Sequence, residues 1–191
     1  MKKVVLASAS PRRQELLEQI YVNFVTIPSN VDETKINGED PIDLVQKLAL
    51  AKADDVAKRV GNSLVIGADT VVVYKDEVLG KPNSNAEAYE MLSKLRETEH
   101  QVITGFAIID TNTLEQKIDY EMTKVIMKDF TDQDISDYIA TGEPMDKAGG
   151  YAIQERGAVF VEKIDGSYSN VVGLPLSKLV INCKELGYQI V

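Results

Sequence analysis

The sequence predicts an α/β fold, an α+β mixture in which a mixed twisted sheet is flanked by helices. Three observations carry that expectation. The chain opens with an apolar run, a helix start and a second apolar run, a β–α–β order. Two long strand-like stretches around a short polar turn occupy the middle. Helical spacing returns between and after them.

Residues 3–7, KVVLA, read as a buried strand, and SASPRRQELL follows at 8–17. Ser10 suits a helix N-cap, Pro11 the first helical position, and Leu16 and Leu17 the buried face. VNFVTIP at 22–28 is the second strand. A polar loop over 29–40 carries Asp32 and Glu33, and the helix from Pro41 places Leu44, Leu48, Ala51 and Val56 at helical spacing before Gly61 and Asn62 end it. Two β-rich runs, 64–66 and 70–74, are expected on either side of a break at Gly67-Ala68-Asp69, with a turn near Lys75 and Asp76.

A helix is expected from Asn83, then two strands around the turn at Asp110–Thr113. TDQDISDYIATG is a short helix capped by Thr131 and stopped by Gly142. AVFVEKIDG is strand-like, and LPLSKLVINCKELG closes the chain as a helix. No repeat, low-complexity tract or linker interrupts the 191 residues, so one domain over 1–191 is expected.

Composition narrows the function. With 44% hydrophobic and 27% charged residues the chain is a globular protein, and its apolar runs fall short of the roughly 18 residues of a membrane span. The start, MKKVVLASAS, has an apolar stretch shorter than the roughly 7–15 residues of a signal-peptide core. A formal net charge of -9 gives no general attraction to nucleic acid polymers or anionic membranes. The single Cys183 excludes an internal disulfide and a Cys-based zinc site, and the single His100 excludes HExxH chemistry. A cytoplasmic location fits these facts.

Four short stretches place charge where core packing gives no reason for it. Arg12 and Arg13 stand in the first turn after Ser10, an end already positive from its open N–H groups, where they either face solvent or, with those groups, bind phosphate. Asp69, after an apolar strand, is either a turn residue or a carboxylate able to bind metal or take a proton from water. Lys81 in GKP is a turn lysine or a phosphate contact. The stretch is not a P-loop, because Pro82 follows the lysine and Lys75 stands at the leading-glycine position. Asp32-Glu33 is an exposed acidic pair or part of a hard-cation site. Together they supply cations for phosphates and carboxylates for a metal, a combination suited to phosphoryl chemistry.

SASPRRQELL, LALAKA at 48–53, GADTVV at 67–72, LGKP at 79–82 and EPMDKAGGYAIQERGAVFVEKIDGSYSNVVGLPL at 143–176 together resemble the Maf family of nucleoside triphosphate pyrophosphatases, which is related in fold to the inosine triphosphate pyrophosphatases. The resemblance spans almost the whole chain. It implies two lobes with a cleft between them, and hydrolysis of a nucleoside triphosphate to the monophosphate and pyrophosphate with a divalent metal, Mg²⁺ or Mn²⁺. KAGGYAIQ looks like the branch acting on dTTP and UTP, with modified pyrimidine nucleotides as further substrates, rather than the branch acting on 7-methyl-GTP.

Carried over residue by residue, the resemblance makes Asp69 the proton acceptor and Glu33 an acidic metal ligand. Asp69 stays open as chiefly a metal ligand. Ser8, Ser10, Arg12, Arg13, Lys52, Thr70, Lys81 and Gln154 become substrate-binding, with Arg12, Thr70 and Gln154 linked to base selection. Lys52 stands on a charge-rich helix, so a surface lysine is the alternative from the residues alone. The amide of Gln154 donates and accepts together, which fits the O4/N3 edge of thymine or uracil. A homodimer is compatible with the resemblance, although the sequence displays no interface. A different class of function also remains, a nucleotide-binding regulatory protein acting in cell division and septum formation. An aspartyl phosphatase does not fit, because Asp69-Thr70-Val71 lacks the second aspartate of a DxD pair.

Overall fold

A computed structural model describes residues 2–191. Its contacts divide the chain into two compact units. The first holds the residues up to Asp69 with Thr104–Glu121 and Gly173–Val191, and the second holds Thr70–Ile103 and Met122–Val172. The strands form one mixed sheet in the order β2-β1-β3-β5-β6-β7, with β4 paired to β3; these are Lys3–Leu6 (β1), Phe24–Thr26 (β2), Ser63–Tyr74 (β3), Glu77–Leu79 (β4), Glu99–Asp110 (β5), Gln116–Met127 (β6) and Val161–Asp165 (β7).

In the first unit the β–α–β opening is as expected. Helix α1, Pro11–Gln19, separates β1 from β2, and β1 runs parallel to both β2 and β3, with Leu6 opposite Thr26 and Ile66. Helix α2, Pro41–Ala57, starts at Asp40, whose carboxylate accepts from the Ile42 and Asp43 N–H groups and so satisfies two of the open donors of the first turn. It ends at Ala57, earlier than the glycine-asparagine pair suggested. Val5, Ala7, Ala49, Ala53, Val56, Val65, Ala107 and Ile109 make the core beneath it.

That core is thin because α2 lies directly on the strands. A Cβ on Gly67 would stand 2.3 Å from the Ala49 carbonyl oxygen and 2.7 Å from the Ala53 nitrogen, and one on Gly105 would stand 2.6 Å from the Val45 carbonyl. Small residues on both elements let the backbones meet. This corrects the expected break at 67–69: β3 is a continuous 12-residue strand, and Gly67 serves close approach rather than a turn. The turn at Lys75 and Asp76 is as expected, with both residues at positive φ.

Tyr188 reaches back in the same unit. Its hydroxyl donates to the buried carboxylate of Asp110, which also receives the Lys2 ammonium and the Asn112 N–H. Burial alone would raise the Asp110 pKa, but these donors outweigh it and hold the carboxyl well below its usual range.

The second unit has its own core, in which Val72, Leu79 and Val102 pack with Ala88, Leu92 and Leu95 of helix α3 (Asn85–Leu95) and Ile135, Tyr138 and Ile139 of helix α4 (Asp132–Ala140). Thr131 caps α4 as expected, in a reciprocal box with Asp134, and Gly142 follows at φ 77. Residues 158–160, the expected start of the next strand, belong instead to a 3₁₀ turn, Arg156–Phe160, and a short helix α5, Tyr168–Val172, has no counterpart in the sequence reading. Helix α6, Leu176–Glu185, belongs to the first unit and carries the buried Cys183.

Candidate functional site

Strand alternation sets the first feature. Gly67 and Asp69 point to one face of β3, the face that meets α2, and Lys52 stands three residues beyond Ala49 on that helix. The Lys52 Nζ therefore lies 2.6 Å from Asp69 Oδ1. A second carboxylate converges on the same ammonium, with Glu33 Oε1 at 2.8 Å. Lys52 is only 8% exposed and Asp69 9%, so the surface alternative for the lysine is corrected. The physical reason is tertiary: the ammonium is neutralised by two acids that the helix sequence does not contain.

Glu33 begins a 3₁₀ turn, Glu33–Lys35, within the stretch read as a polar loop. Asp32 does not join the cluster. Its carboxylate accepts from the Thr34 hydroxyl at 2.6 Å, pairs with Lys35 at 2.9 Å and caps the Thr34 N–H, and these contacts, the hydroxyl first, hold its pKa below the usual value.

The arginine stretch forms the second feature of this unit. Ser10 occupies the N-cap position of α1, but its side chain makes no capping bond. Ser8 acts locally instead: its Oγ accepts from the Ser10 N–H at 3.1 Å and from Arg13 Nη1 at 3.3 Å. Arg13 Nε donates to the Gly173 carbonyl at 2.8 Å, which fixes the guanidinium across the first turn. The first turn contains no acid of its own. Burial pushes the Arg13 pKa down, Asp69 and Glu33 oppose that shift, and the neighbouring Arg12 charge adds to it. Arg13 thus lies in the field of the two carboxylates, and Ser8, Ser10, Arg12, Arg13, Glu33, Lys52 and Asp69 are brought together in one unit.

Thr70, Lys81 and Gln154 belong to the second unit. Thr70 follows Asp69 on β3 and points to the opposite face. Lys81 is exposed in the turn after β4. The Gly149 N–H donates to the Gly80 carbonyl at 3.0 Å, which ties that turn to the KAGG segment. Gly149 and Gly150 both have positive φ, and a Cβ on Gly149 would crowd Val72 at 3.0 Å, so the segment turns where only glycine fits easily. Gln154 is half-buried, and its Oε1 has no hydrogen-bond partner among the described residues. A buried acceptor left open is costly in a finished core and useful in a binding site.

Two residues of this unit carry structure that sequence reasoning missed, although both stand in the quoted motif. Lys147 is 5% exposed, with its Nζ 2.5 Å from Asp146 Oδ1 and 3.5 Å from Glu155 Oε1. Glu143 accepts from Tyr138 Oη at 2.9 Å and from the Arg156 and Gly157 N–H groups, and so braces the segment that presents Gln154. The signal for Lys147 was a lysine one residue ahead of a glycine pair, in Lys147-Ala148-Gly149-Gly150.

Two carboxylates and an ammonium thus meet at the face of β3, with Arg13 fixed in the same unit of an α/β fold. The sequence profile described as "Maf-like protein" matches residues 3–186. The chain belongs to the Maf family. It is 52% identical over 188 residues to a protein named dTTP/UTP pyrophosphatase from Geobacillus sp. (strain WCH70), covering 98% of this chain and 100% of that one. A protein of the same name from Acetivibrio thermocellus is 49% identical, covering 100% and 98%. Among solved structures, the Ham1 protein of Staphylococcus aureus is 18% identical with a TM-score of 0.44, covering 66% of this chain and 72% of that chain.

Proposed function

We propose that the protein hydrolyses dTTP and UTP to the monophosphate and pyrophosphate. The observation that carries the chemistry is the convergence of Glu33 and Asp69 on one cation, with Arg13 in their field. The substrate class comes from the relatives, which bear that name over essentially their full length.

The donor set fits a divalent cation such as Mg²⁺ or Mn²⁺. Both ligands are hard carboxylate oxygens, and the Lys52 ammonium already stands between them as a substitute cation. Among the described residues no three His, Cys, Asp or Glu side chains gather for a metal, so Glu33 and Asp69 are the residues that would hold it. When bound, such an ion supplies charge stabilisation to the phosphate oxygens.

The remaining work falls to the chain. Arg13, braced on the Gly173 carbonyl, grips phosphate without having to be ordered at the moment of binding, with Arg12, Lys81 and the α1 N–H groups adding positive charge. Water adds across the α–β anhydride, Asp69 accepts its proton, and pyrophosphate leaves. Gln154 reads the base: its open Oε1 accepts from N3–H and its amide N–H₂ donates to O4, the pattern of uracil and thymine. A cytoplasmic location fits a triphosphate substrate and a lone buried cysteine. Among the described residues no helix is long and apolar enough to cross a membrane.

The test is a panel of dTTP, UTP, CTP, GTP and 7-methyl-GTP with Mg²⁺, with products separated by ion exchange. Pyrophosphate from dTTP and UTP is expected, and Asp69→Asn should lower turnover on the order of 10²–10⁴-fold while nucleotide still binds. Release of orthophosphate, or a wild type that binds these nucleotides without turning them over, would overturn the proposal.

A further inference from the structure

Lys52 stands where the reading above needs a metal. One monovalent ammonium answers to two carboxylates, at 2.6 and 2.8 Å. The cluster is also mechanically uneven. Lys52 and Asp69 are buried on a long helix and a long strand, whereas the Glu33 side chain is 55% exposed on a three-residue 3₁₀ turn. The three side chains sum to one negative charge, and Glu33 has room to adjust.

We infer that Lys52 is a placeholder cation: it holds Glu33 and Asp69 together in the nucleotide-free protein, gives up their oxygens to the metal, and turns its ammonium to the triphosphate. The inference rests on the pyrophosphatase reading and adds an order of events to it. A metal arriving alone would leave the Lys52 ammonium buried without a counter-charge, which is unfavourable. A metal arriving with nucleotide leaves that ammonium facing phosphate oxygens instead. Lys52 therefore couples the two ligands: each strengthens the binding of the other, by the same factor in both directions. The protein rests in a charge-paired state that disfavours metal until substrate is present.

The experiment is a titration with Mn²⁺ alone, following the electron paramagnetic resonance signal of the free ion, on wild type, Lys52→Met, Lys52→Arg and the double variant Lys52→Met/Glu33→Gln. Removing the competing ammonium should tighten Mn²⁺ binding on the order of tenfold, the scale of one charge-assisted hydrogen bond. Lys52→Arg keeps the charge and should stay near wild type, and adding Glu33→Gln should abolish the gain. Repeating the titration with a non-hydrolysable α,β-imido-dUTP should tighten Mn²⁺ binding more in wild type than in Lys52→Met. Binding by Lys52→Met equal to or weaker than wild type would overturn the inference.

Circular dichroism checks the fold of each variant. If Lys52→Met does not fold, the wild type decides by itself: the ¹H–¹⁵N signal of the Lys52 ammonium should shift when Mg²⁺ and the analogue are added, and an unmoved signal overturns the exchange. No turnover enters these measurements. A protein showing the Mn²⁺ pattern without hydrolysing nucleotide would refute the pyrophosphatase reading alone, and a pyrophosphatase lacking the pattern would refute the placeholder alone.

Discussion

His100 gives the most exacting stability test. Its ring is 3% exposed on β5, Nε2 lies 2.7 Å from Tyr151 Oη, and Nδ1 has no partner among the described residues. The rings meet edge-on, with centroids 5.5 Å apart. A neutral tautomer that places its proton on Nε2 donates to the tyrosine and leaves only an acceptor dry, the cheaper of the two choices. Burial pushes the pKa down to about 4 from an ordinary 6.5, because a proton on this ring would bring an unpaired charge inside. The folded pKa lies below the unfolded one, so the unfolded chain binds the extra proton first. Stability from this residue is whole above pH 6.5 and is lost as the pH falls towards 4. A difference of about 2.5 pH units corresponds to about 3 kcal/mol at the acid limit, of which about 2 kcal/mol is already lost at pH 5. Urea unfolding of wild type and His100→Gln from pH 7.5 to pH 5 isolates the effect, since every other titrating group is shared. Wild type should lose about 2 kcal/mol more than the variant across that range. Parallel curves, or an imidazole resonance titrating near pH 6.5 in the folded protein, would refute the reasoning.

Three further outcomes follow from named contacts. Gly67→Ala places a methyl 2.3 Å from the Ala49 carbonyl oxygen, so chemical denaturation should show a loss of about 1–3 kcal/mol or more, and wild-type stability would contradict the direct seating of α2 on β3. Arg13→Lys keeps a positive charge but cannot reproduce the Nε donation to Gly173; nucleotide affinity should fall, with a stability loss of about 1 kcal/mol by urea unfolding. Burial pushes the Cys183 thiol up to about 12, so a thiol reagent such as DTNB should react slowly with the native protein and at once in denaturant; rapid native labelling would place the cysteine at the surface.

The sequence made local structure legible wherever its signal was local. Thr131 caps α4 and Lys75-Asp76 makes the tight turn between β3 and β4, both as expected, whereas the helix expected from Asn83 starts at Asn85 because Ser84 caps it. Nearly every charged site residue was visible as a charge without a packing reason. What remained hidden was set by distant partners. Lys52 reads as a surface lysine until Asp69 and Glu33 are placed against it. Ser10 reads as a cap, yet Ser8 makes the bonds. Lys2, Asp110 and Tyr188 are far apart in the chain, and no local pattern announces that they meet.

Gly67-Ala68-Asp69 shows why the site could be recognised while its geometry could not. Glycine and aspartate side by side are turn formers in an isolated chain, and the expectation of a break followed from that. In the folded protein each is required by α2. Two residues along a strand span about 6.6 Å, and three along a helix about 4.5 Å, so when Gly67 touches the helix beside Ala49, Asp69 and Lys52 are carried to neighbouring points on the facing surfaces. Had β3 turned at Gly67, Asp69 would leave that face and the ammonium would have one exposed acid in place of two partners. The close packing of Gly67 and the charge placement of Asp69 are therefore one structural requirement, and the distance from Lys52 to the carboxylate is set by a glycine two residues away.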